Sequence, residues 1–196
     1  MVHESHHRID RTVSPFRNRF GLYAIVLIAS MCMPGCGDSL HDIAATGDLN
    51  QVRALLARNP KALESRDKMQ KTPVYFAITY DRVDVLKFLI EQGADVNVRD
   101  KTGLTPLHVA TFMSRPACAD ALIKAGAKID AVDDFGDTPL HSGAIHGMTG
   151  MIGFLVRRGA DLHAVNSQGE TPLDLAVKYH QDRAVETLRK LLDAHS

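Results

Sequence analysis

The sequence contains no tryptophan, only three cysteines and no excess of charge of either sign. Its 196 residues carry 23 basic and 23 acidic side chains, so bulk charge gives no indication of a nucleic-acid partner. A phosphate-binding glycine loop, a CxxC pair and a nucleophile elbow are all missing, and we therefore expect neither an enzyme nor a bound cofactor. With 45% hydrophobic and 23% charged residues, the composition is that of a folded protein.

The cysteines are too unevenly placed for a disulfide framework. Cys32 and Cys36 both lie in the N-terminal segment, whereas Cys118 stands alone among small residues. We expect Cys118 to be a small buried residue and not a reactive thiol.

Residues 1–35 have the pattern of an export signal. Arg17 and Arg19 lead into the uncharged apolar run FGLYAIVLIASMCM. The run is shorter than the ~20 residues that a membrane-spanning helix needs, and small residues follow it, which favours a cleaved signal peptide. His3, His6 and His7 resemble metal ligands, but they precede this signal and are interpreted as a solvated tail.

The end of this signal, Met33-Pro34-Gly35-Cys36, resembles a bacterial lipobox. The resemblance implies cleavage before Cys36, acyl chains on that cysteine and a periplasmic protein tethered to a membrane. Gly37 after the cysteine favours the outer membrane. The alternative is an uncleaved signal anchor that carries a periplasmic domain.

The rest of the chain contains a repeat with a fixed period. Thr105-Pro106-Leu107-His108 recurs as Thr138-Pro139-Leu140-His141 and as Thr171-Pro172-Leu173-Asp174, and Thr72-Pro73-Val74-Tyr75 precedes them. The four threonines follow one another in equal steps of 33. In each copy the threonine can cap a helix and the proline suits its first position, where no N–H donor is needed. Equal steps in this range predict a stacked array of helical units.

This pattern resembles the ankyrin repeat, in which a β-turn finger is followed by two antiparallel helices. The related stretches GADVN (93–97), GAKID (126–130) and GADLH (159–163) fit the same family. The resemblance implies an all-α solenoid of about five helix-turn-helix repeats over residues 39–196. Their approximate bounds are 39–70, 71–103, 104–136, 137–169 and 170–196.

The first and last repeats depart from the pattern. Leu40-His41 matches Val74-Tyr75 at a distance one position longer than the regular step, which predicts one extra residue between 59 and 71. Gln70 stands where the later turns have glycine, so we expect the first finger to be looser or differently shaped. The last repeat should end on a polar helix face, as a terminal cap requires.

His108 and His141 invite two interpretations. A metal or cofactor carrier could use them together with His146 and His163, although these residues belong to different parts of the repeat. The ankyrin resemblance implies instead that His108 and His141 bond to adjacent backbone and tie a finger to a helix. We favour this structural role, because buried polar groups need partners.

The resemblance also implies a concave binding face, formed by the finger tips and the ends of the first helices. Large apolar or aromatic side chains recur there, and we expect them to be an exposed stripe that binds a partner. The stripe is Tyr80, Phe112, Met113, Phe135, Ile145 and Tyr179.

The predicted tips also change in charge along the array. The early tips are basic, with Lys68, Lys71 and Lys101, and the later ones are acidic, with Asp134, Asp137 and Glu170. Lys101, Asp134 and Asp137 are therefore included among the predicted partner-binding residues, because a polarised face would orient a partner.

Together these patterns predict a monomeric, non-enzymatic module that binds another protein in the bacterial cell envelope. Two alternatives remain open. One is an inhibitor or immunity protein for an envelope toxin or enzyme, whose acidic tips would occlude a basic active site. The other is the metal or cofactor carrier based on the histidines.

Overall fold

The computed structural model describes residues 39–195. The predicted signal peptide and Cys36 lie outside the described residues. Within 39–195 the chain forms ten α-helices, no strand and one short 3-10 helix, Pro60–Glu64. The α-helices are α1 (Leu40–Thr46), α2 (Leu49–Arg58), α3 (Pro73–Thr79), α4 (Val83–Glu91), α5 (Pro106–Phe112), α6 (Pro116–Lys124), α7 (Pro139–Ile145), α8 (Thr149–Arg157), α9 (Pro172–Lys178) and α10 (Asp182–Ala194).

Consecutive helices pack against each other in five pairs, which are called layers one to five. The first helices of the pairs begin at residues 40, 73, 106, 139 and 172, a constant step of 33. They form one row, in which α1 packs on α3, α3 on α5, α5 on α7 and α7 on α9. The predicted helical solenoid is therefore confirmed.

The predicted caps explain where the first helices begin. Thr105, Thr138 and Thr171 are N-cap residues with extended backbone, and Pro106, Pro139 and Pro172 follow as the first helical residues. The Thr138 hydroxyl accepts the backbone N–H of His141 at 3.4 Å, and the Thr171 hydroxyl accepts that of Asp174 at 3.2 Å. Each bond satisfies one of the N–H groups that lack a partner inside the helix.

The first repeat keeps the same step by a different route. Ser39 takes the place of Thr72 as N-cap and accepts the backbone N–H of Asp42, so Leu40 corresponds to Pro73. The predicted match of Leu40 with Val74 is wrong by one residue, because Ser39 supplies the cap. The predicted extra residue between 59 and 71 is therefore also wrong, because α2 ends at Arg58 and α4 at Glu91, again a step of 33; a 3-10 helix opens at Pro60 in this segment.

Small residues at one position of the first helices allow the layers to approach closely. They are fully buried and recur once in every repeat: Ala44, Ala77, Ala110, Gly143 and Ala176. The second helices contribute larger core residues, among them Leu86, Leu122 and Leu155, each 0% exposed. Burial of each such leucine stabilises the fold by roughly 1.5–3 kcal/mol.

Four β-turns, called fingers one to four, connect the layers: residues 67–71, 100–104, 133–137 and 166–170. In each finger the first residue donates its N–H to the carbonyl of the fifth at 3.0 Å. The side-chain Oδ1 of that first residue accepts two backbone N–H groups of the same turn. In finger two, for example, Asp100 accepts from Thr102 at 2.8 Å and from Leu104 at 3.1 Å. Neighbouring fingers are joined by backbone bonds, such as Lys101 N–H to the Met69 carbonyl at 2.9 Å.

Finger one has the same shape as the others. Gln70 adopts φ 61°, close to the 78° of Gly103, and Asp67 forms the same pair of side-chain bonds to the turn. The expectation of a looser or different first finger is therefore wrong. The hydrogen bonds of Asp67 hold Gln70 in a left-handed conformation that a side chain ordinarily disfavours.

The last helix, α10, ends the array with a polar surface. Its exposed residues include the charged side chains of Arg183, Glu186, Arg189, Lys190 and Asp193, in agreement with the predicted polar face. Val185 is half-buried, although the equivalent Ile152 is 0% exposed. Among the described helices, none combines the length and the apolar character that crossing a bilayer requires.

Candidate functional site

A row of side chains on the first helices joins each layer to the finger that follows it. In each case the acceptor is the carbonyl of the residue before the next helix cap. The bonds are Tyr75 Oη–H to Leu104 at 2.6 Å, His108 Nε2 to Asp137 at 2.9 Å and His141 Nε2 to Glu170 at 3.0 Å. In the first layer His41 Nε2 reaches the equivalent Lys71 carbonyl at 3.0 Å. These bonds link every pair of successive layers.

The contacts of His108 define its tautomer. Its Nδ1 accepts the backbone N–H of Thr105 at 3.2 Å, so Nε2 must carry the proton that is donated to Asp137. Burial, as the largest cause, lowers the pKa of His108 to about 4, and the imidazole is neutral at physiological pH. Both ring nitrogens are thus engaged by the protein backbone. The structural role predicted for His108, and by the same contacts for His141, is confirmed.

The metal-carrier alternative finds no geometric support in the described part of the chain. Between residues 39 and 195 no three His, Cys, Asp or Glu side chains converge on a position that could hold a metal ion. His163 is exposed, whereas His146 is half-buried and bonds to the Ser142 carbonyl at 2.8 Å. The four histidines therefore belong to separate surroundings.

Cys118 is fully buried, as expected. Burial, followed by the nearby Asp81 carboxylate, raises the pKa of its thiol to about 12. The thiol is protonated at neutral pH, which excludes a role as a ready nucleophile.

The predicted apolar stripe is divided by the structure into buried and accessible residues. Phe112, Ile145 and Tyr179 are only 6%, 2% and 7% exposed, so the prediction that they form part of an exposed surface is wrong. Ile145 packs with Leu175 and Tyr179 of the next layer. The Phe112 ring lies against the His146 imidazole, with 5.6 Å between ring centroids. Stacking of the layers buries the side chains that a single layer would expose.

Tyr80, Met113 and Phe135 are half-buried and keep part of their surface accessible. Tyr80 and Met113 are the C-cap residues of α3 and α5, whereas Phe135 lies in finger three. The exposed charged residues Lys101 and Asp134 lie at the tips of fingers two and three. These five residues define what is called the finger face below: Tyr80, Lys101, Met113, Asp134 and Phe135.

The predicted change of charge along the fingers is smaller than the sequence indicates. Asp137 is 0% exposed and accepts a bond from the Asn166 amide at 2.8 Å, and Lys71 is 4% exposed. Both were expected at accessible tips, but they are the fifth residues of their fingers and point into the stack. Burial lowers the pKa of Lys71, against the opposing effect of the Asp100 and Asp67 carboxylates.

The remaining acidic positions are partly neutralised by neighbours. The Arg99 guanidinium lies 2.7 Å from the Asp134 carboxylate, and the Lys178 ammonium lies 2.5 Å from that of Glu170. An inhibitor that blocks a basic active site would need free acidic tips. Because Asp137 is buried and Asp134 is paired with Arg99, the structure gives that alternative little support.

Sequence reasoning missed two groups of residues. It did not assign layer-bridging roles to Tyr75 and His41, although Tyr75 occupies the helix position of His108 one repeat earlier. It also omitted Arg66 and Arg99, which are exposed beside the finger tips and lie one repeat apart. The fixed period could have identified them, because Tyr75 lies 33 residues before His108 and Arg66 lies 33 residues before Arg99.

Comparison with known proteins agrees with this architecture. The family model described as ankyrin repeats (3 copies) matches residues 40–133 and 121–195. Similar proteins include alpha-latrocrustotoxin-Lt1a of Latrodectus tredecimguttatus, 40% identical over 31% of this chain, and inversin of Gallus gallus, 34% identical over 30%. The human DNA-binding protein RFXANK is 30% identical over 31% of the chain. The alignments span 4%, 5% and 23% of the respective relatives.

Proposed function

Because the chain belongs to the ankyrin-repeat family, whose repeats form protein-interaction modules, we propose that it captures another protein through its finger face. It acts by binding and performs no chemical step of its own. The buried histidines and the protonated Cys118 serve the stack, which leaves the accessible finger face as the surface for recognition.

The observation that carries this proposal is the layer-to-layer organisation of the finger face. Met113 is the C-cap of α5, and Phe135 lies in finger three, the turn that follows the layer of α5. Lys101 and Asp134 are the second residues of fingers two and three. Backbone bonds between fingers, such as Asp134 N–H to the Thr102 carbonyl at 3.4 Å, support a constant spacing of these side chains. A face held in this way is ordered before binding and loses less conformational entropy when a partner docks.

The mixed character of the finger face indicates the partner's chemistry. The finger face combines the half-buried apolar side chains of Met113 and Phe135 with the exposed charges of Lys101 and Asp134. Protein-binding surfaces commonly combine an apolar centre with a polar rim. A partner with an apolar anchor and flanking charges of both signs would match it.

We further propose that the protein acts in a bacterial cell envelope, where Cys36 carries acyl chains and residues 1–35 have been removed. The uncharged run after Arg19, and Gly35-Cys36 at its end, support this localisation. Export by this signal would expose the repeats to the periplasm, and Gly37 after the cysteine favours the outer membrane as the anchoring membrane. A plain signal anchor would give the same exposure without a lipid.

Site-specific photocrosslinking tests the binding face. The full chain is produced with a benzophenone amino acid at position 135 or, as a control on a second helix, in place of the exposed Arg157 of α8. We expect position 135 to trap one defined protein, and unlabelled chain added in excess should compete for it. Equal trapping at the two positions, or no competition, would refute the assigned face.

Lipidation is tested separately. Cells that express the full chain are supplied with a labelled fatty acid, and the Cys36→Ser variant is compared. The parent protein should incorporate label and fractionate with membranes, whereas the variant should lose the label. Labelling that persists in the variant would exclude Cys36 as the acylated residue.

A further inference from the structure

One residue immediately before each finger is exposed. These four residues lie at steps of 33 and are called the pre-finger row: Arg66, Arg99, Val132 and Val165. The row is basic at fingers one and two and apolar at fingers three and four. Among the described residues three large hydrophobic side chains are exposed, and two of them are Val132 at 45% and Val165 at 59%. Two exposed valines at equivalent positions of successive layers favour a surface that another molecule covers.

Side-chain contacts place the two arginines along the same side of the stack. The Arg66 guanidinium donates to the Arg99 carbonyl at 3.3 Å, and the Arg99 guanidinium lies 2.7 Å from the Asp134 carboxylate of finger three. Each arginine therefore extends towards the next finger along the array. The basic half of the row runs up to finger three, where Val132 begins the apolar half.

The charges around the basic half are mostly positive. In the segments 62–68 and 95–101 the exposed charged residues are four cations, Arg66, Lys68, Arg99 and Lys101, and two carboxylates, Glu64 and Asp95. Glu64 is also engaged within the stack, because it accepts the backbone N–H of Asp95 at 2.9 Å. Exposed positive charge is therefore in excess beside fingers one and two.

The equivalent segments around the apolar half carry the opposite excess. In 128–134 and 161–167 the exposed Lys and acidic residues are Lys128, Asp130, Asp134 and Asp161. Asp130 Oδ1 accepts the backbone N–H of Asp161 at 3.2 Å, which places two acidic residues side by side. An acidic group would be attracted to fingers one and two and repelled at fingers three and four.

The spacing of the layers sets the spacing of side chains that could contact the row. Packed helices lie roughly 8–10 Å apart, and an extended chain rises about 3.3 Å per residue. About three residues of an extended segment therefore pass each layer. A segment that follows the row would place every third side chain against a successive member of it.

We propose that the pre-finger row binds an extended segment of a partner protein that has two acidic residues at one end and two apolar residues at the other, each three positions from the next. The carboxylates pair with Arg66 and Arg99, and the apolar side chains cover Val132 and Val165. The Arg99 guanidinium has five N–H donors, so it can bind a second carboxylate besides Asp134. The opposite placement would set the acidic end beside Asp130 and Asp161.

This contact extends the proposed capture of a protein, but its four residues are not among the five of the finger face. Its test uses a synthetic peptide and not the partner trapped by crosslinking. Failure of the finger face therefore leaves the row standing, and failure of the row leaves the finger face unaffected.

Peptides test the row directly. SESSESSISSIS, the reverse sequence SISSISSESSES and the alternating control SESSISSESSIS are titrated into the full chain with isotope-labelled valine methyl groups. At least one of the first two should give saturable NMR shifts at Val132 and Val165, and none at Val177, which is 50% exposed on the last layer. It should bind about threefold or more tightly than the control, which sets one acidic residue in the apolar half. Equal binding of the control, or no saturable shift at the two row valines, would overturn the proposal.

A pair of valine variants tests the apolar half. Val165→Thr replaces a methyl group by a hydroxyl at nearly constant volume and should weaken peptide binding by about twofold or more. Val177→Thr, which is matched in exposure, should bind like the parent. Thermal unfolding establishes that both are folded. Parent-like binding by Val165→Thr would contradict a role for the apolar half.

A pair of arginine variants tests the basic half. Arg66→Gln should weaken peptide binding by about two- to fivefold at low salt, as expected for an exposed ion pair, and the difference should shrink as salt is added. Arg183→Gln, at an exposed position of α10, is the control. Polyglutamate is the second probe. If it binds the parent and Val165→Thr as tightly as the peptide binds the parent, the row is a general anion site and the assigned segment is refuted.

Discussion

The imidazole Nε2–H of His108 donates a hydrogen bond to the carbonyl of Asp137, 2.9 Å away and in the next finger along the chain. His108 also accepts the backbone N–H of Thr105, the cap of its own helix. One fully buried side chain therefore joins a helix start to the next layer. His141 repeats the arrangement with Thr138 and Glu170.

Removal of either histidine should destabilise the stack. His108→Ala or His141→Ala leaves buried backbone groups without partners and opens a cavity, which should reduce the free energy of unfolding by about 2–4 kcal/mol. Denaturant titration of the full chain measures this change. His163→Ala, at an exposed position, is the control and should unfold like the parent.

Stability should depend on pH through His108. Its pKa is about 4 in the folded protein and near the ordinary value of 6.5 in the unfolded chain, so the unfolded state binds more protons between these values. The free energy of unfolding should therefore fall as the pH is lowered from about 6.5 to about 4, by up to ~3 kcal/mol from this residue.

Urea titrations at several pH values test this dependence. The slope of stability against pH in that window should be smaller in His108→Gln, which cannot take up the proton. An identical slope in parent and variant would show that other groups cause the dependence.

The fingers permit a matched test of backbone strain and close packing. Gly103 and Gly169 have φ values of 78° and 75°, so alanine at either position is strained by roughly 1–2 kcal/mol. A Cβ at Gly103 would also lie 2.6 Å from the Asp134 backbone nitrogen, whereas at Gly169 it would meet nothing within 4 Å. Gly103→Ala should therefore lower the melting temperature more than Gly169→Ala. A larger effect at Gly169 would contradict the observed stacking of fingers two and three.

Two helical glycines should be replaceable by alanine with a gain in stability. At Gly150 a new Cβ has open space, and the helix preference for alanine should raise stability by about 1 kcal/mol. At Gly143 a Cβ would lie 3.3 Å from the Thr111 methyl carbon and 3.4 Å from Ile152, so the gain should be smaller. Calorimetry of both variants measures the difference. The other four layers carry alanine at the position of Gly143, which favours tolerance of the change.

Phe112 and Phe135 should respond differently to truncation, although the sequence pattern treats them alike. Phe112→Ala removes a buried ring and should cost about 3–4 kcal/mol of stability. Phe135→Ala affects a half-buried finger residue and should change stability much less. Thermal unfolding of the two variants distinguishes a core residue from a surface residue, and equal losses would contradict this division.

The fixed repeat period made much of this fold predictable from sequence. Threonine caps, helix-starting prolines and turn glycines act within a few residues, so Thr105, Pro106 and Gly103 could be placed before the structure was known. The role of His108 could be inferred because its position recurs. Local patterns of this kind determine the layers and their order.

Exposure was not predictable in the same way, because it depends on the neighbouring layer. Tyr80, Met113 and Tyr179 are each the C-cap residue of a first helix. Only Tyr179 of the three is buried, because it packs with Ile145 of the preceding layer and with Leu175. Aspartate is a residue type common at exposed turn tips, but Asp137 is the fifth residue of its finger, and its side chain is buried in the stack.

The most direct test of the central claim measures binding of the crosslinked partner, once purified, to the full chain and three variants. The claim predicts that Met113→Ala and Phe135→Ala each weaken binding at least tenfold, a loss of about 1.4 kcal/mol or more, while remaining folded. Val177→Ala, at an apolar residue that is 50% exposed on the last layer, should bind like the parent. Undiminished binding by folded Met113→Ala and Phe135→Ala would contradict the claim that the finger face captures the partner.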